Sequence, residues 1–227
     1  MLILLAAALT TAPCIALDAG HGGPRDDGTT ALEHKEKMLA LQLVRRVRDA
    51  LKGSLAGYDV VLTRDEDKEL SLIDRARIAN KAGCRALISV HINGSVEPVM
   101  HGIEAYSLDT QKQRYIRRVG ELASAQASDI EVILRDLKTR RHAARSAQLS
   151  ELVHQNMLRS AQSIDDDVRS NGVRKDLLLL LLAADMPSML IEVGYLSNRR
   201  ERERLLDARY QQALATGIAA GVKAFVQ

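Results

Sequence analysis

Short apolar runs of strand length alternate with segments of helical period along almost the whole of this 227-residue chain. CIALD (14–18), YDVVLT (58–63), ALISVH (86–91), GIEAYSL (102–108) and MLIEV (189–193) each read as a strand. Several are continuous in their apolar character, as strands covered on both faces are. Between the first two, Leu39, Leu43, Val47 and Leu51 recur at helical spacing while Arg45, Arg46 and Arg48 point outward, the stripe of an amphipathic helix opening at Glu36. Residues 72–82, a region from 111 to 162, and 207–225 read as further helices, the last with Leu214, Ile218 and Val222 on one side. The leucine run Leu177–Leu182 is far short of the ~20 residues that span a bilayer and is read as another strand buried on both faces. Such alternation predicts an α/β fold: a mixed, largely parallel sheet between helices.

The core of that fold must be aliphatic, because Trp is absent and the aromatics are five Tyr and Phe225 alone. Size scaling has a chain of this mass burying roughly 70% of its surface, enough for a full core without disulfides. Stacking platforms for single-stranded nucleic acid need several aromatics and are excluded. A net charge of +3, from 32 basic and 29 acidic side chains, is too mild to argue a nucleic-acid partner. Cys14 and Cys84 form no C-x-x-C pair, so a zinc finger or a redox motif is excluded, and both are expected as small buried thiols. The opening MLILLAAALTTAP (1–13) resembles the apolar part of a secretory signal, though no basic residue precedes it, and it predicts export without a stable membrane span.

Polar residues that can do chemistry cluster where the strands end. DAGHGG (18–23) places His21 in a glycine loop after the first strand, and SVHIN (89–93) places His91 at the end of another. In parallel α/β sheets the carboxyl ends of strands are where active residues collect. Glu192 stands among Leu190, Ile191 and Val193, and a carboxylate buried in such surroundings is costly unless it is paired or lies near a metal. Two imidazoles and one carboxylate with an open position form a catalytic zinc set, and a further carboxylate beside it can serve as general base. The same donors suit Fe(II) in an oxygenase, but those sites commonly sit in β-barrels. The glycine loop lacks the G-x-x-x-x-G-K-[ST] of a phosphate cradle, and G-x-S-x-G is absent.

Seven motifs together resemble the zinc-dependent N-acetylmuramoyl-L-alanine amidases of the bacterial cell wall, the cell-separation type included. They are DAGHGG (18–23), KEK (35–37), VVLTRDED (60–67), LIDRARIAN (72–80), LISVHINGS (87–95), GIEAYSL (102–108) and MPSMLIEVGYLSN (186–198). Ala19 stands where the family usually has Pro, and Ile92 where it usually has Ala. The resemblance implies a six-stranded sheet between helices over 14–227, Zn²⁺ held by His21, Glu36 and His91, and Glu192 as the catalytic carboxylate. It implies a hydrolase of the amide between N-acetylmuramic acid and the L-alanine of peptidoglycan, placed in the periplasm or outside the cell. A zinc peptidase acting on another amide, or a wall-binding relative without activity, are the alternatives. Residues 123–145 exceed what compact family members need and resemble a shortened form of the insertion that cell-division members carry. That insertion implies autoinhibition relieved by an activator protein, with Asp129 or Glu131 reaching the metal; an ordinary surface helix with a basic flank fits the segment equally.

Overall fold

The computed structural model describes residues 12–110 and 129–227, the side chains of 129–141 excepted. Its strands are β1 (Cys14–Ala19), β2 (Thr30–Ala31), β3 (His34–Lys35), β4 (Asp59–Leu62), β5 (Ala86–Asn93), β6 (Ile103–Leu108), β7 (Ser170–Asp176) and β8 (Ser188–Tyr195). Its helices are α1 (Glu36–Ser54), α2 (Leu72–Ala82), α3 (Asp129–Gln162), α4 (Leu179–Ala183), α5 (Arg199–Leu206) and α6 (Ala208–Val226). Six strands form one sheet in the order β4-β1-β5-β8-β6-β7, and β2 and β3 pair as a small hairpin beside it. β4, β1, β5 and β8 are mutually parallel, β6 runs against β8, and β7 lies parallel to β6. This is the mixed, largely parallel sheet that the alternation of elements predicts.

The two faces of the sheet are covered unequally, and that inequality creates the site. Side chains alternate faces along a strand. Ile15, Leu17, Ile88, Val90, Met189 and Ile191 point to one face, where they join Leu43, Val47, Val153, Met157, Leu214 and Ile218 from α1, α3 and α6 in one aliphatic core. The other face carries Ala16 and Leu87 at its amino end, packed with Ala76 and Ala79 of α2 and Leu180 of α4. Towards the carboxyl ends the same face becomes polar, with Asp18, Ser89, His91, Glu104 and Glu192.

Local signals explain where the helices start and stop. Ser71 caps α2 by accepting from the Asp74 amide and donating to the Asp74 carboxylate at 2.7 Å, and Gly83 closes that helix in the left-handed region, the pairing of polar start and glycine stop that helices favour. Asn198 and Asp207 cap α5 and α6. α1 has no side-chain cap. Its first amides donate instead to Thr29 O at 2.8 Å and Asp27 O at 3.2 Å, which satisfies orphan donors and leaves the Glu36 side chain available.

Two expectations are corrected. The leucine run is not a strand: Leu179–Ala183 form α4, and the sixth strand of the sheet is the more polar Ser170–Asp176 just before it. An all-apolar run has no period from which strand and helix can be told apart. Here Leu180 packs with the α2 cluster while Leu181 and Leu182 pack with Leu108, so the short helix buries more than one of its sides. The cysteines are not free thiols either, since Cys14 and Cys84 form a disulfide that joins the start of β1 to the segment before β5. Its two ends lie 70 residues apart in sequence, and closing a loop of that length in the unfolded chain is worth about 2–4 kcal/mol. A Cys14→Ser/Cys84→Ser variant is therefore expected to lose about that much in urea unfolding; a loss below about 0.5 kcal/mol would contradict the assignment. Of the segment 123–145, residues 123–128 and the side chains of 129–141 lie outside the described residues, as does 1–11, so neither the plugging contacts nor the export signal is described.

Candidate metal centre

The parallel strands deliver their carboxyl ends to one edge, and three of the sequence-predicted groups arrive there together. His21 follows β1 with φ of +57°, a left-handed conformation uncommon outside glycine. His91 lies on β5, and its rung continues onto β8 at Glu192 and then onto β6 at Glu104. Glu36 comes from outside the sheet, at the first turn of α1. Its Oε1 lies 3.2 Å from His21 Nε2 and 3.0 Å from His91 Nδ1. One donor atom from each of the three residues falls within 4.8 Å of the others.

Surrounding groups hold these three in place. The Glu36 carboxylate accepts from the Thr29 amide at 2.8 Å and the Ile92 amide at 2.9 Å. The second ring nitrogen of His21, Nδ1, lies 2.6 Å from Asp26 Oδ1, the outer carboxylate that typically fixes the tautomer of a ligating imidazole. Gly20 and Gly28 supply the room. A Cβ on Gly20 would stand 2.3 Å from His91 Cε1, and one on Gly28 would stand 2.5 Å from Glu36 Oε2 and 2.6 Å from His21 Cδ2. The loop thus needs glycine where its backbone passes each ring. Gly20→Ala is expected to displace the His91 ring and weaken metal binding by at least tenfold in a chelator competition; unchanged affinity would show that the ring has room to move.

Electrostatics separates the carboxylates. Burial opposes ionisation of Glu36, but the imidazoles of His21 and His91 outweigh it and hold its carboxyl far below the usual range. Glu36 in turn raises His21, against the opposing effect of burial, and Asp26 adds to the rise. Burial pushes Glu192 well above the usual carboxylate range, and the charges of Glu36 and Glu104 push the same way. Glu192 Oε2 is buried with no hydrogen-bond partner among the described residues. Glu104 is held at one oxygen: Oε1 accepts from Asn93 Nδ2 at 2.7 Å and the Tyr195 hydroxyl at 3.1 Å, while Oε2, 3.3 Å from Arg174 Nε, is likewise buried without a hydrogen-bond partner among the described residues.

The donor set fits a divalent cation. Two imidazoles and a carboxylate converge, and a neighbouring buried carboxylate has an oxygen without a partner, which in a low-dielectric setting is costly unless a counter-charge is near. Nitrogen and oxygen donors in this number suit zinc with an open position. Asp26 and Glu104 were not foreseen from the sequence. Three of the other four histidines have partners of their own: His34 lies beside Glu33, His101 beside Val99 O, and His154 beside Ser170.

Residues 15–224 match the family model of N-acetylmuramoyl-L-alanine amidases. The N-acetylmuramoyl-L-alanine amidase AmiA of Escherichia coli K12 is 26% identical over 227 residues, which covers 92% of this chain and 74% of that protein. AmiC of Neisseria meningitidis is 26% identical over 226 residues, covering 94% of this chain and 53% of that protein, so the chain spans about half of the longer relative. The solved structure of the CwlD amidase from Clostridioides difficile in complex with the GerS lipoprotein superposes with a TM-score of 0.70 at 25% identity, covering 94% of this chain and 98% of that one. A family match that runs from β1 to the last helix makes this chain a member of the N-acetylmuramoyl-L-alanine amidase family.

Proposed function

We propose that this chain hydrolyses the amide bond between N-acetylmuramic acid and the L-alanine of the peptidoglycan stem peptide, with zinc held by His21, Glu36 and His91 and with Glu192 as general base. The observation that carries the proposal is the convergence of His21 Nε2, Glu36 Oε1 and His91 Nδ1 on a rung that continues to Glu192. Zinc bound there supplies Lewis-acid polarisation of water and of the scissile carbonyl. Glu192 takes the proton from the attacking water and returns it to the leaving amine. Its burial favours the protonated carboxyl, and an adjacent cation would favour the ionised form that a base requires. Asp26 keeps Nδ1 of His21 engaged, which directs Nε2 towards the site.

The disulfide supports a place in the cell envelope or outside the cell, because such bonds persist in oxidising compartments. No helix among the described residues is long and apolar enough to cross a membrane. The proposal includes a protein activator acting on 123–145, in keeping with a cell-division role, and the complex of the related CwlD with a lipoprotein supports a protein partner. Purified peptidoglycan, digested with and without chelator, tests the reaction. Release of free stem peptides from intact glycan strands, abolished by chelator, is the expected outcome. Glycan fragments, cleavage within the stem peptide, or release that survives full metal removal would overturn it.

A further inference from the structure

We propose that Arg64 is a positioning residue that sets the spacing of the metal ligands before metal binds, by tying the loop that carries His21 to the helix turn that carries Glu36. The inference rests on the metal-site reading above. His21 and His91 are spaced by the sheet itself, since β1 and β5 are hydrogen-bonded neighbours and the Gly20 amide continues their ladder onto Val90 O at 3.0 Å. Glu36 belongs to a helix outside the sheet: its carboxylate accepts from the Ile92 amide of β5, but no strand ladder of that sheet places its backbone.

Arg64 spans that gap. It is 3% exposed, just beyond β4. Its Nη2 donates to Gly20 O at 2.7 Å and to Lys37 O at 2.8 Å, and its Nε donates to Ala19 O at 2.9 Å. Gly20 precedes His21, and Lys37 follows Glu36. A fourth bond, from Nη1 to Glu66 O at 3.1 Å, fixes the other end of the guanidinium. Every one of these acceptors is a backbone carbonyl, so the side chain is spent on holding main chain in place. Burying a guanidinium is costly, and here the cation sits at the junction of the two ligand-bearing segments. Its planar fork fixes the directions of its bonds, which the single ammonium of lysine cannot copy. Arg75 differs: it binds Asp18 Oδ1, Ala19 O and His21 O, all on the β1 side, and reaches Leu70 O rather than α1.

The test compares zinc affinity of metal-free wild type, Arg64→Lys and Arg64→Gln by chelator competition, together with the visible absorption of the cobalt-loaded proteins. Wild type binds one ion tightly. Arg64→Gln is expected to bind 10- to 100-fold more weakly, the usual cost of losing an outer-shell support, with Arg64→Lys between the two and the cobalt bands weakened in the same order. Arg64→Gln within twofold of wild type, with unchanged bands, would overturn the clamp. A wild type that binds no metal would overturn the metal site itself. Should both variants fail to fold, exchange of the Arg64 guanidinium protons in metal-free wild type decides the matter: slow exchange supports a clamp made before metal arrives, and exchange at the solvent rate contradicts it.

Discussion

Glu192→Gln keeps its metal and loses its turnover. Glutamine preserves the shape of the side chain but cannot take a proton from water, and removal of a positioned general base costs about 10²- to 10⁴-fold. The zinc content should stay at the wild-type level, since the ligand donors proposed are His21, Glu36 and His91. The substitution should also stabilise the metal-free protein near neutral pH. Burial raises the Glu192 carboxyl well above its usual value. A raised carboxyl binds its proton more tightly in the folded than in the unfolded chain. Stability is therefore lost as pH climbs above the unfolded value of about 4.3. Metal-free wild type should weaken over that climb relative to Glu192→Gln, while the two converge below about pH 4. Urea titrations across the range check the sign. A variant that retains full activity with zinc bound would remove Glu192 from the mechanism.

Asp18→Asn should be the most damaging single change to the fold. Asp18 is fully buried, and it accepts from Arg75 Nη1 at 2.9 Å, from the Ser89 hydroxyl at 2.7 Å and from the Thr63 hydroxyl. Burial opposes its ionisation, yet Arg75 and the two hydroxyls prevail and hold its pKa below the ordinary value. Asparagine leaves the Arg75 cation buried without its counter-charge, at a cost of about 3–5 kcal/mol. The dependence on pH has the opposite sign to that of Glu192. A lowered carboxyl contributes stability that is present above the unfolded pKa of about 3.9 and is lost as pH falls towards the folded value. The gap between wild type and Asp18→Asn should be full at pH 7 and should narrow below about pH 4. A gap smaller than about 1 kcal/mol at pH 7 would mean that the pair contributes little.

The architecture was legible because helical stripes and strand runs have different periods. Leu39, Leu43, Val47 and Leu51 lie on the buried side of α1, and the runs around Ile15, Ile88 and Ile191 are central strands. The leucine run failed because it has no polar residue to mark a period, while β7, an edge strand like β4, was overlooked because Ser170–Asp176 lacks the apolar run that marks β4. Chemistry was legible where a polar residue interrupts an apolar strand, which singled out Glu192. The same cost argument applies to Asp18 after Ile15, Ala16 and Leu17, and to Glu104 between Ile103 and Ala105; both prove to be buried carboxylates with partners. Asp26 left no such mark, because its partnership with His21 depends on the fold of a glycine loop. The disulfide was illegible for a related reason: 70 residues separate two cysteines that adjacent strands bring together.

The metal content of the purified protein tests the central claim most directly. Elemental analysis of wild type, His21→Ala and His91→Ala, each confirmed as folded, should find about one zinc per wild-type chain, as one set of three protein ligands with an open fourth position requires. Both variants should hold less than about a tenth of that. Zinc absent from wild type after reconstitution, or a full equivalent retained when either histidine is gone, would contradict the account.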